Sequence, residues 1–446
     1  MKRFTILFII CILMTAFGAK AQDTLRMSLE DCIRYATENN LSLQTAALNR
    51  NTAELNYQRA KQQMAPSVSA SASQGFGYMP NSSYTTLEGG TLNESKAATT
   101  WSGNYGLNAG IVIFNGLNIY NSIKQSKVNM EQADLQLEKS RNLINVQIVQ
   151  AFLSVIMNEE RLGYLNDVCK TSEEQMKQGE QQFKVGKILE SDYMMLEAQY
   201  ASDSFNIENT KITIENNILR LKNLLCMKPS QPLKLVKPSD EAMAQSLEMP
   251  TKSELINQSM QYLPELKLNE KNIESAEYDV KIAKSSYYPS LMFSTGASTG
   301  YNSGAGSFGE QLKRRFGLQA GLNLSVPIYN RSNARIQVAQ SKIRLQQAEI
   351  EGLQTELEVL QTLEENYLNV KEAQNNFKVT EAQEKAYSAN YKAYKEKFKA
   401  GAITAVDLLQ QQTNYLNVMN NYLQNKYSFV LSRKVLDIYM GIPVKL

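Results

Sequence analysis

The sequence predicts a mixed fold, in which long coiled-coil-like helical hairpins alternate with four β-strands that are long enough to cross a membrane. Three observations predict it. The segment from Phe183 to Tyr200 recurs from Phe398 to Tyr415, 215 residues later, and such an internal repeat defines the architecture. Before the first copy, apolar residues recur every seven residues, as in coiled coils. Ahead of each long helix, two segments alternate apolar and polar residues.

The first 21 residues have the pattern of a secretory signal. Lys2 and Arg3 precede an apolar run, and Ala19-Lys20-Ala21 fits a cleavage site. We expect the mature chain to begin at Gln22. We expect no lipid anchor, because Cys11 lies inside the apolar run instead of at the new N-terminus.

Composition argues against several classes of function. Of the 47 basic residues, three lie in the signal, so the remaining 44 balance the 44 acidic ones, which disfavours nucleic-acid binding by bulk charge. The chain has no histidine, the commonest general base and metal ligand. It also lacks a glycine-rich nucleotide loop and metal-ligand spacing. We therefore expect no enzyme activity, no cofactor and no metal site. The odd set of mature cysteines, Cys32, Cys169 and Cys226, indicates packing thiols instead of disulfides.

The first repeat is predicted to start with a helix from Ser28 to Met64, capped by Ser28 and ended by Pro66. Two strands follow, Ser67 to Tyr78 and Trp101 to Phe114, joined by a polar loop. Each strand has one apolar face and one face of Ser, Gly and Asn. Each also reaches the ~9–11 residues that a membrane strand needs.

The longest predicted helix runs from Leu117 to about Val185 and is ~100 Å long at 1.5 Å per residue. Its apolar seam repeats every seven residues: Ile148, Val155, Leu162, Cys169, Met176 and Phe183. Gly186 ends this helix, and a return helix is predicted from Leu189 to about Met227. Each copy of the repeated segment is therefore expected to be the turn of a helical hairpin.

A proline-containing linker, residues 228–252, separates the first repeat (22–227) from the second (253–446). The second repeat is predicted to contain a helix from Ser253 to Tyr288, strands Ser290 to Tyr301 and Phe316 to Ile328, and a second helical hairpin. The two short helices of a repeat together match one long helix in length, so we expect the linker at the middle of the helical part.

Four strands with one apolar face cannot stand alone in a bilayer, because their open edges would find no water to bond. The sequence therefore predicts that several chains close around a common β-barrel. Three copies would supply 12 strands, more than the ~8 whose interior side chains fill the barrel, so an aqueous lumen is expected.

The chain resembles the TolC family of outer-membrane efflux channels over essentially the whole mature sequence. The shared markers are the doubled helix–hairpin–helix repeat, the strand starts at Pro66-Ser67 and Pro289-Ser290, the junction Val326-Pro327-Ile328-Tyr329-Asn330, and the tip motif F-K-x-G-x-I-x-x-x-D. The resemblance implies a homotrimer whose 12-stranded barrel crosses the outer membrane and whose α-helical tunnel crosses the periplasm. It further implies a passive exit channel whose tips dock a periplasmic adaptor of an inner-membrane pump.

The resemblance also implies roles for particular residues. Six residues match the adaptor-contacting turns: Val185, Gly186, Lys187, Ala400, Gly401 and Ala402. Asp407 matches an acidic position of the pore constriction, and Asp192 matches the tip acid of the first repeat. A ring of three carboxylates would favour cations, and each carboxylate would raise the pKa of the others. An ordinary role is open for both acids, because Asp is a good helix N-cap. An ordinary role is also open for Gly186 and Gly401, because a turn can require positive φ.

Four positions depart from the pattern of relatives. Gln410 stands where some relatives have a second pore acid, Phe398 where a tyrosine would bond the tip acid, and Ile403 where an arginine helps to lock the closed state. We therefore expect that the closed state is not held by the same polar network. Val112 is the counterpart of Pro327 in the first repeat.

An alternative function is a structural or adhesive trimeric coiled coil without a conducting lumen. The Ser, Gly and Asn faces of the strands favour the channel, because a stalk needs no polar interior.

Overall fold

The structure is a computed structural model that describes residues 25–79, 83–86, 92–95, 98–238, 249–303 and 306–444. The predicted signal at residues 1–21 lies outside the described residues. The chain forms two compact units. One comprises Met1–Leu48, Leu135–Leu266 and Thr355–Leu446, and it contains the helical hairpin turns. The other comprises Asn49–Asp134 and Lys267–Gln354, and it contains the largest sheet.

The first repeat contains two long strands and helices whose lengths range from 11 to 67 residues. In chain order its elements are β1 (Leu25–Met27), α1 (Leu29–Asn39), α2 (Leu41–Gln62), β2 (Ser67–Met79), β3 (Ser83–Thr86), β4 (Leu92–Ser95), β5 (Ala98–Asn115), α3 (Asn118–Lys184) and α4 (Glu190–Leu224).

The second half repeats this order, except that a short helix stands where the first half has β3 and β4. Its elements are β6 (Leu233–Leu235), α5 (Lys252–Tyr262), α6 (Pro264–Ser285), β7 (Ser290–Asn302), α7 (Phe308–Arg314), β8 (Gly317–Ser325), α8 (Asn333–Lys399) and α9 (Ala405–Tyr439). The long helices α3 and α8 both have 67 residues, and the return helices α4 and α9 both have 35. The predicted helical hairpins are therefore confirmed.

The four predicted membrane strands form one antiparallel sheet in the order β2-β5-β7-β8. Register pairs such as Phe76 with Trp101 keep the apolar residues of neighbouring strands on one face. Strand β8 ends at Ser325, before Pro327, whose missing N–H cannot join a ladder. Its counterpart in the first repeat carries Val112 instead, and β5 continues to Asn115 through a bulge.

Two helices that the sequence predicts as continuous are each broken once. Ser28 caps α1 with a capping box, as predicted. The first break falls at Asn40, whose Nδ2 donates to the carbonyl oxygen of Leu224 at 2.7 Å and whose Oδ1 accepts from the backbone of Ser42 at 2.9 Å. The second break falls at Leu263, because Pro264 disfavours helical backbone in the residue before it.

The linker contains a strand that the sequence pattern does not predict. Strand β6 pairs in parallel with β1, with Leu25 opposite Leu233 and Met27 opposite Leu235. Leu233, Leu235 and Met27 are buried and belong to the main apolar cluster, which also holds Ile148 and Phe152 of α3. The linker is thus attached to the helical core at this point. Within the described ranges, no helix has both the length and the apolar character that a bilayer crossing requires.

Candidate functional site at the helical turns

Both hairpin turns end their long helices in the same way. Gly186 has φ +72° and Gly401 has φ +73°, a left-handed conformation that glycine adopts without steric cost. The amide of Gly186 donates to the carbonyl oxygen of Phe183 at 2.9 Å, and the amide of Lys187 donates to that of Gln182 at 2.8 Å. The second turn repeats this Schellman pattern through the amides of Gly401 and Ala402. The requirement for positive φ is therefore confirmed at both glycines.

The two turns lie side by side. Gly186, Lys187 and Asp192 line one cleft of about 480 Å³ together with Gly401 and Thr404. The six residues that resemble adaptor-contacting positions are all exposed: Val185, Gly186, Lys187, Ala400, Gly401 and Ala402. A Cβ added at either glycine would meet no atom within 4 Å, so backbone conformation alone restricts these positions.

Asp407 is not the N-cap that the sequence suggests. Thr404 is the N-cap of α9, and Asp407 is the third helical residue, which completes a capping box. The carboxylate of Asp407 accepts from Thr404 Oγ1 at 2.7 Å and from the Thr404 amide at 3.1 Å. These two hydrogen bonds from Thr404 lower the pKa of the exposed Asp407 below its usual 3.8, and the bond from the hydroxyl has the larger effect. The side chain therefore stabilises the start of α9 while it remains open to solvent.

Asp192 has different surroundings although it occupies the equivalent place. The N-cap of α4 is Leu189, which has no hydroxyl, and no side-chain cap forms there. Asp192 is half-buried at the cleft. The N-cap interpretation is wrong for Asp192 also, since it lies within the first turn of α4. The two tip acids are therefore not equivalent: one is held by its own helix start, and the other lines the cleft.

Two of the four positions at which we expected departures, Phe398 and Ile403, lie in an apolar cluster. Phe398 is only 4% exposed and packs with Leu196, Tyr391 and Leu408, and Ile403 packs against the same cluster. Tyr391 also stacks on Tyr415 with ring centroids 5.2 Å apart. Tyr394 also packs on this cluster, whereas Tyr387 is exposed. Apolar packing therefore holds the turns at Phe398 and Ile403.

Gln410, the third predicted constriction residue, is exposed on α9. Its Nε2 donates to Asn414 Oδ1 of the same helix at 3.3 Å. It joins neither the cleft nor the apolar cluster.

A buried polar cluster lies beyond the apolar one, and sequence reasoning missed it. Asp203 of α4 is 1% exposed. Its carboxylate accepts from Ser172 Oγ of α3 at 2.5 Å, from Gln412 Nε2 of α9 at 2.7 Å and from Gln199 Nε2 at 2.9 Å. Burial raises the pKa of Asp203 above 3.8, and the three hydrogen bonds oppose this. We name Ser172, Gln199, Asp203 and Gln412 the polar latch.

A sequence signal for the polar latch exists. Leu196, Asp203 and Thr210 are spaced by seven residues on α4 and are all buried. A carboxylate at a heptad seam position indicates a buried polar contact, because unpaired charge is costly there.

The described part of the chain contains no group of three or more metal-ligating side chains. The cysteines in that part are free. Cys32 is buried, and burial raises the pKa of its thiol to about 12, so it packs as a small apolar residue. Cys226 is exposed, which differs from the packing role that we expected.

Comparison of the chain with known proteins indicates one family. The profile of the outer membrane efflux protein family matches residues 32–225 and 255–441. No curated protein matches the chain significantly. The CmeC outer membrane channel of Campylobacter jejuni is 18% identical, with a TM-score of 0.76 over 93% of this chain and 85% of that one.

Two further solved structures have the same fold. The outer membrane protein VceC of Vibrio cholerae is 14% identical, with a TM-score of 0.75 over 93% of this chain and 96% of that one. The open-state MtrE outer membrane channel of Neisseria gonorrhoeae is 17% identical, with a TM-score of 0.74 over 93% and 89%. The family consists of channel proteins, not enzymes. By its fold, its doubled turns and the match to the family profile, the chain belongs to the outer membrane efflux protein family.

Proposed function

We propose that this chain is the outer-membrane exit channel of a tripartite efflux or secretion system. It conducts substrates passively to the outside from a periplasmic adaptor and an inner-membrane pump. The observation that carries the proposal is the four-stranded sheet with one apolar face, one Ser, Gly and Asn face, and two unpaired edges. The similar proteins CmeC and MtrE are both described as outer membrane channels.

The sheet supports closure by copies of the same chain. Among the described residues, strands β2 and β8 each have a strand partner on one side only, so each offers a row of unpaired backbone groups. Three copies that pair β8 of one with β2 of the next form a 12-stranded barrel around a polar lumen. The barrel crosses the outer membrane, and the helices extend into the periplasm as a tunnel.

Exposed apolar stripes on the helices also support a trimer. Along α8, Ile336, Ile343 and Ile350 are exposed at intervals of seven residues. Further stripes with the same spacing are Phe205, Ile212 and Leu219 on α4, and Leu41, Leu48 and Leu55 on α2. Such stripes suit knobs-into-holes packing against a second copy, because heptad seams align only with a parallel or antiparallel helix.

The turns support the two site assignments. The exposed residues Val185–Lys187 and Ala400–Ala402 dock the adaptor. Asp192, Asp407 and Gln410 line the constriction. Because Asp407 retains its charge in the capping box, a ring of three such carboxylates favours cations.

The proposed precursor has four parts. They are a signal at residues 1–21, a first repeat at 22–227, a linker at 228–252 and a second repeat at 253–446.

Conductance in planar bilayers tests the proposal. Purified protein should form trimers that conduct ions, and Asp407→Ala should lower the preference for cations. An adhesive stalk predicts trimers that never conduct, and that result would overturn the channel.

A matched pair of variants tests the trimer. Ile343→Glu places a charge in the exposed stripe of α8 and should prevent trimer formation and conductance together. Gln337→Glu places the same charge on an exposed position outside the stripe and should leave both intact. Equal behaviour of the two variants would remove the stripe from the interface.

A further inference from the structure

The short helix α7 lies over the apolar face of the sheet. The ring of Phe308 packs edge-on against Tyr301 of β7, with centroids 4.7 Å apart. Thr299 Oγ1 donates to the carbonyl oxygen of Leu312 at 2.6 Å. Thr299 and Tyr301 alternate in step with Leu291 and Phe293, so they share the apolar face. The helix therefore covers the face that meets lipid in the proposed barrel.

A buried amide attaches α7 to the end of β7. Gln311 is 6% exposed, and its Oε1 accepts from the Asn302 amide at 2.9 Å. Its Nε2 donates to the carbonyl oxygens of Asn302 at 2.9 Å and Gly306 at 2.8 Å. These three hydrogen bonds of the Gln311 side chain hold the helix in one orientation against the strand.

A second polar group on this face is also satisfied internally. Tyr301 donates from its hydroxyl to Gln74 Oε1 at 2.7 Å, and Gln74 Nε2 lies 2.6 Å from the hydroxyl of Tyr105. Gly103 makes room for this bridge, because a Cβ there would lie 2.4 Å from the Tyr301 ring. Polar groups at a lipid-facing surface need such partners, since hydrocarbon offers none.

Three consecutive basic residues stand at the C-terminal end of this helix. Lys313, Arg314 and Arg315 are all exposed. The acid of α7, Glu310, lies 3.8 Å from Arg314, but both side chains are more than 70% exposed, so the pair is weak. The segment thus carries a net positive charge beside an apolar strand. We name Lys313, Arg314 and Arg315 the basic triad.

Aromatic residues lie at the same end of the sheet as the basic triad. Phe76 and Trp101 pack edge-on with ring centroids 5.2 Å apart, and both are exposed. The backbone amide of Trp101 donates to Ser303 Oγ at 2.9 Å, next to the end of β7. Phe316, directly after the triad, is exposed as well. Aromatic side chains of this kind mark the boundary between hydrocarbon and headgroups.

We propose that α7 and the basic triad form a docking site for the phosphorylated glycolipid of the outer leaflet. The inference rests on the proposed function, because that function directs this end of the barrel outward and the apolar face toward lipid. Phe308 and Phe316 contact the acyl region. Arg314 and Arg315 bind the glycolipid phosphates through their planar guanidinium groups, and Lys313 adds a point charge.

Binding of lipid A to the detergent-solubilised full-length trimer tests the site. The reporter is Trp101, since the chain contains one tryptophan and it lies at this end of the sheet. Lys313→Gln, Arg314→Gln and Arg315→Gln combined should weaken lipid A binding by about tenfold or more. Lys170→Gln, Lys267→Gln and Lys392→Gln combined remove the same charge from exposed helix positions and should leave the affinity unchanged.

Two further ligands, dephosphorylated lipid A and inorganic phosphate, test whether the lipid phosphates are recognised. Conductance in bilayers distinguishes failure of this inference from failure of the proposed function. Dephosphorylated lipid A should bind wild type as weakly as lipid A binds the triad variant, and inorganic phosphate should not compete. Equal lipid A affinity of the triad variant and wild type would overturn the site, and so would full competition by inorganic phosphate. If wild type conducts in bilayers without triad-dependent binding, the inference falls and the channel stands. If wild type neither inserts nor conducts, both fall.

Discussion

Gln412 donates from Nε2 to the Asp203 carboxylate at 2.7 Å, and this contact joins the second helical hairpin to the first. Gln412 is 0% exposed and Asp203 is 1% exposed. The same Nε2 lies 2.9 Å from Ser172 Oγ, so α3, α4 and α9 meet at one buried point. A motion that separates the hairpins near their turns must break these bonds, and buried donors and acceptors are costly to leave unpaired.

Removal of Gln412 should loosen the turns. Gln412→Ala leaves the buried Asp203 carboxylate short of a donor, and we expect a loss of about 1–3 kcal/mol in the free energy of unfolding. In bilayers, the variant should spend more time in its open state. Gln424→Ala is the matched control, because Gln424 lies on the same helix but is exposed. Equal stability and opening of the two variants would show that the latch does not hold the hairpins together.

The polar latch should make the turns less stable as pH rises. Because the pKa of Asp203 is raised on folding, the native state holds its proton more tightly than the unfolded state does. The resulting stabilisation is present at low pH and is lost as pH rises through the raised pKa. The protection factors of the amides of α4 and α9 near their turns, which correct for the base-catalysed intrinsic exchange rate, should therefore fall as pH rises above 3.8. Asp203→Asn should abolish this pH dependence, and its persistence in that variant would assign it to another group.

Asp407 should show the opposite dependence. Its pKa is lowered by Thr404, so its contribution to the start of α9 is present above 3.8 and is lost as pH falls through the lowered value. Two variants separate its charge from its cap. Asp407→Ala should reduce cation selectivity and fray α9, whereas Thr404→Ala should fray α9 and leave selectivity unchanged. Reversal potentials across a salt gradient measure the selectivity. If Asp407→Ala keeps full selectivity, Asp407 does not line the pore.

Substitution of the turn glycines should separate folding from docking. Gly186 and Gly401 have positive φ and open space where a side chain would begin, so asparagine, which tolerates this conformation, should preserve the turn. We expect Gly186→Asn with Gly401→Asn to form trimers that conduct in bilayers. The same variant should lose export in cells, because the added side chains protrude from the docking surface. Normal export by this variant would show that the turns are not the docking site.

The sequence predicted the strands and long helices closely because each depends on a local period. The strand predicted from Ser67 to Tyr78 is observed as Ser67–Met79. The helix predicted from Leu117 to about Val185 is observed as Asn118–Lys184. The break at Asn40 and the strand in the linker were missed because distant residues create them. Asn40 bonds to Leu224, and β6 needs β1 as its partner. Helix α7, between the two strands of the second repeat, was not predicted, because its position depends on Gln311 reaching Asn302.

The candidate site was predictable in position but not in detail. The repeated glycines located both turns, since positive φ is a local requirement. The different surroundings of Asp192 and Asp407 depend on whether Leu189 or Thr404 precedes the helix. That difference is visible in the sequence, because a hydroxyl three residues before an acid is the capping-box pattern. The polar latch required knowledge of which helices pack together.

The pairing of β1 with β6 has a consequence for the order in which the protein is made. Leu25 lies near the start of the described chain, yet its partner Leu233 follows the whole first repeat. During synthesis and secretion, the leading segment must therefore wait until the linker has emerged before it finds its place. A chain that stops after the first repeat leaves Leu25–Met27 without a sheet partner. The duplicated halves are thus sequential in the gene but interdependent in assembly.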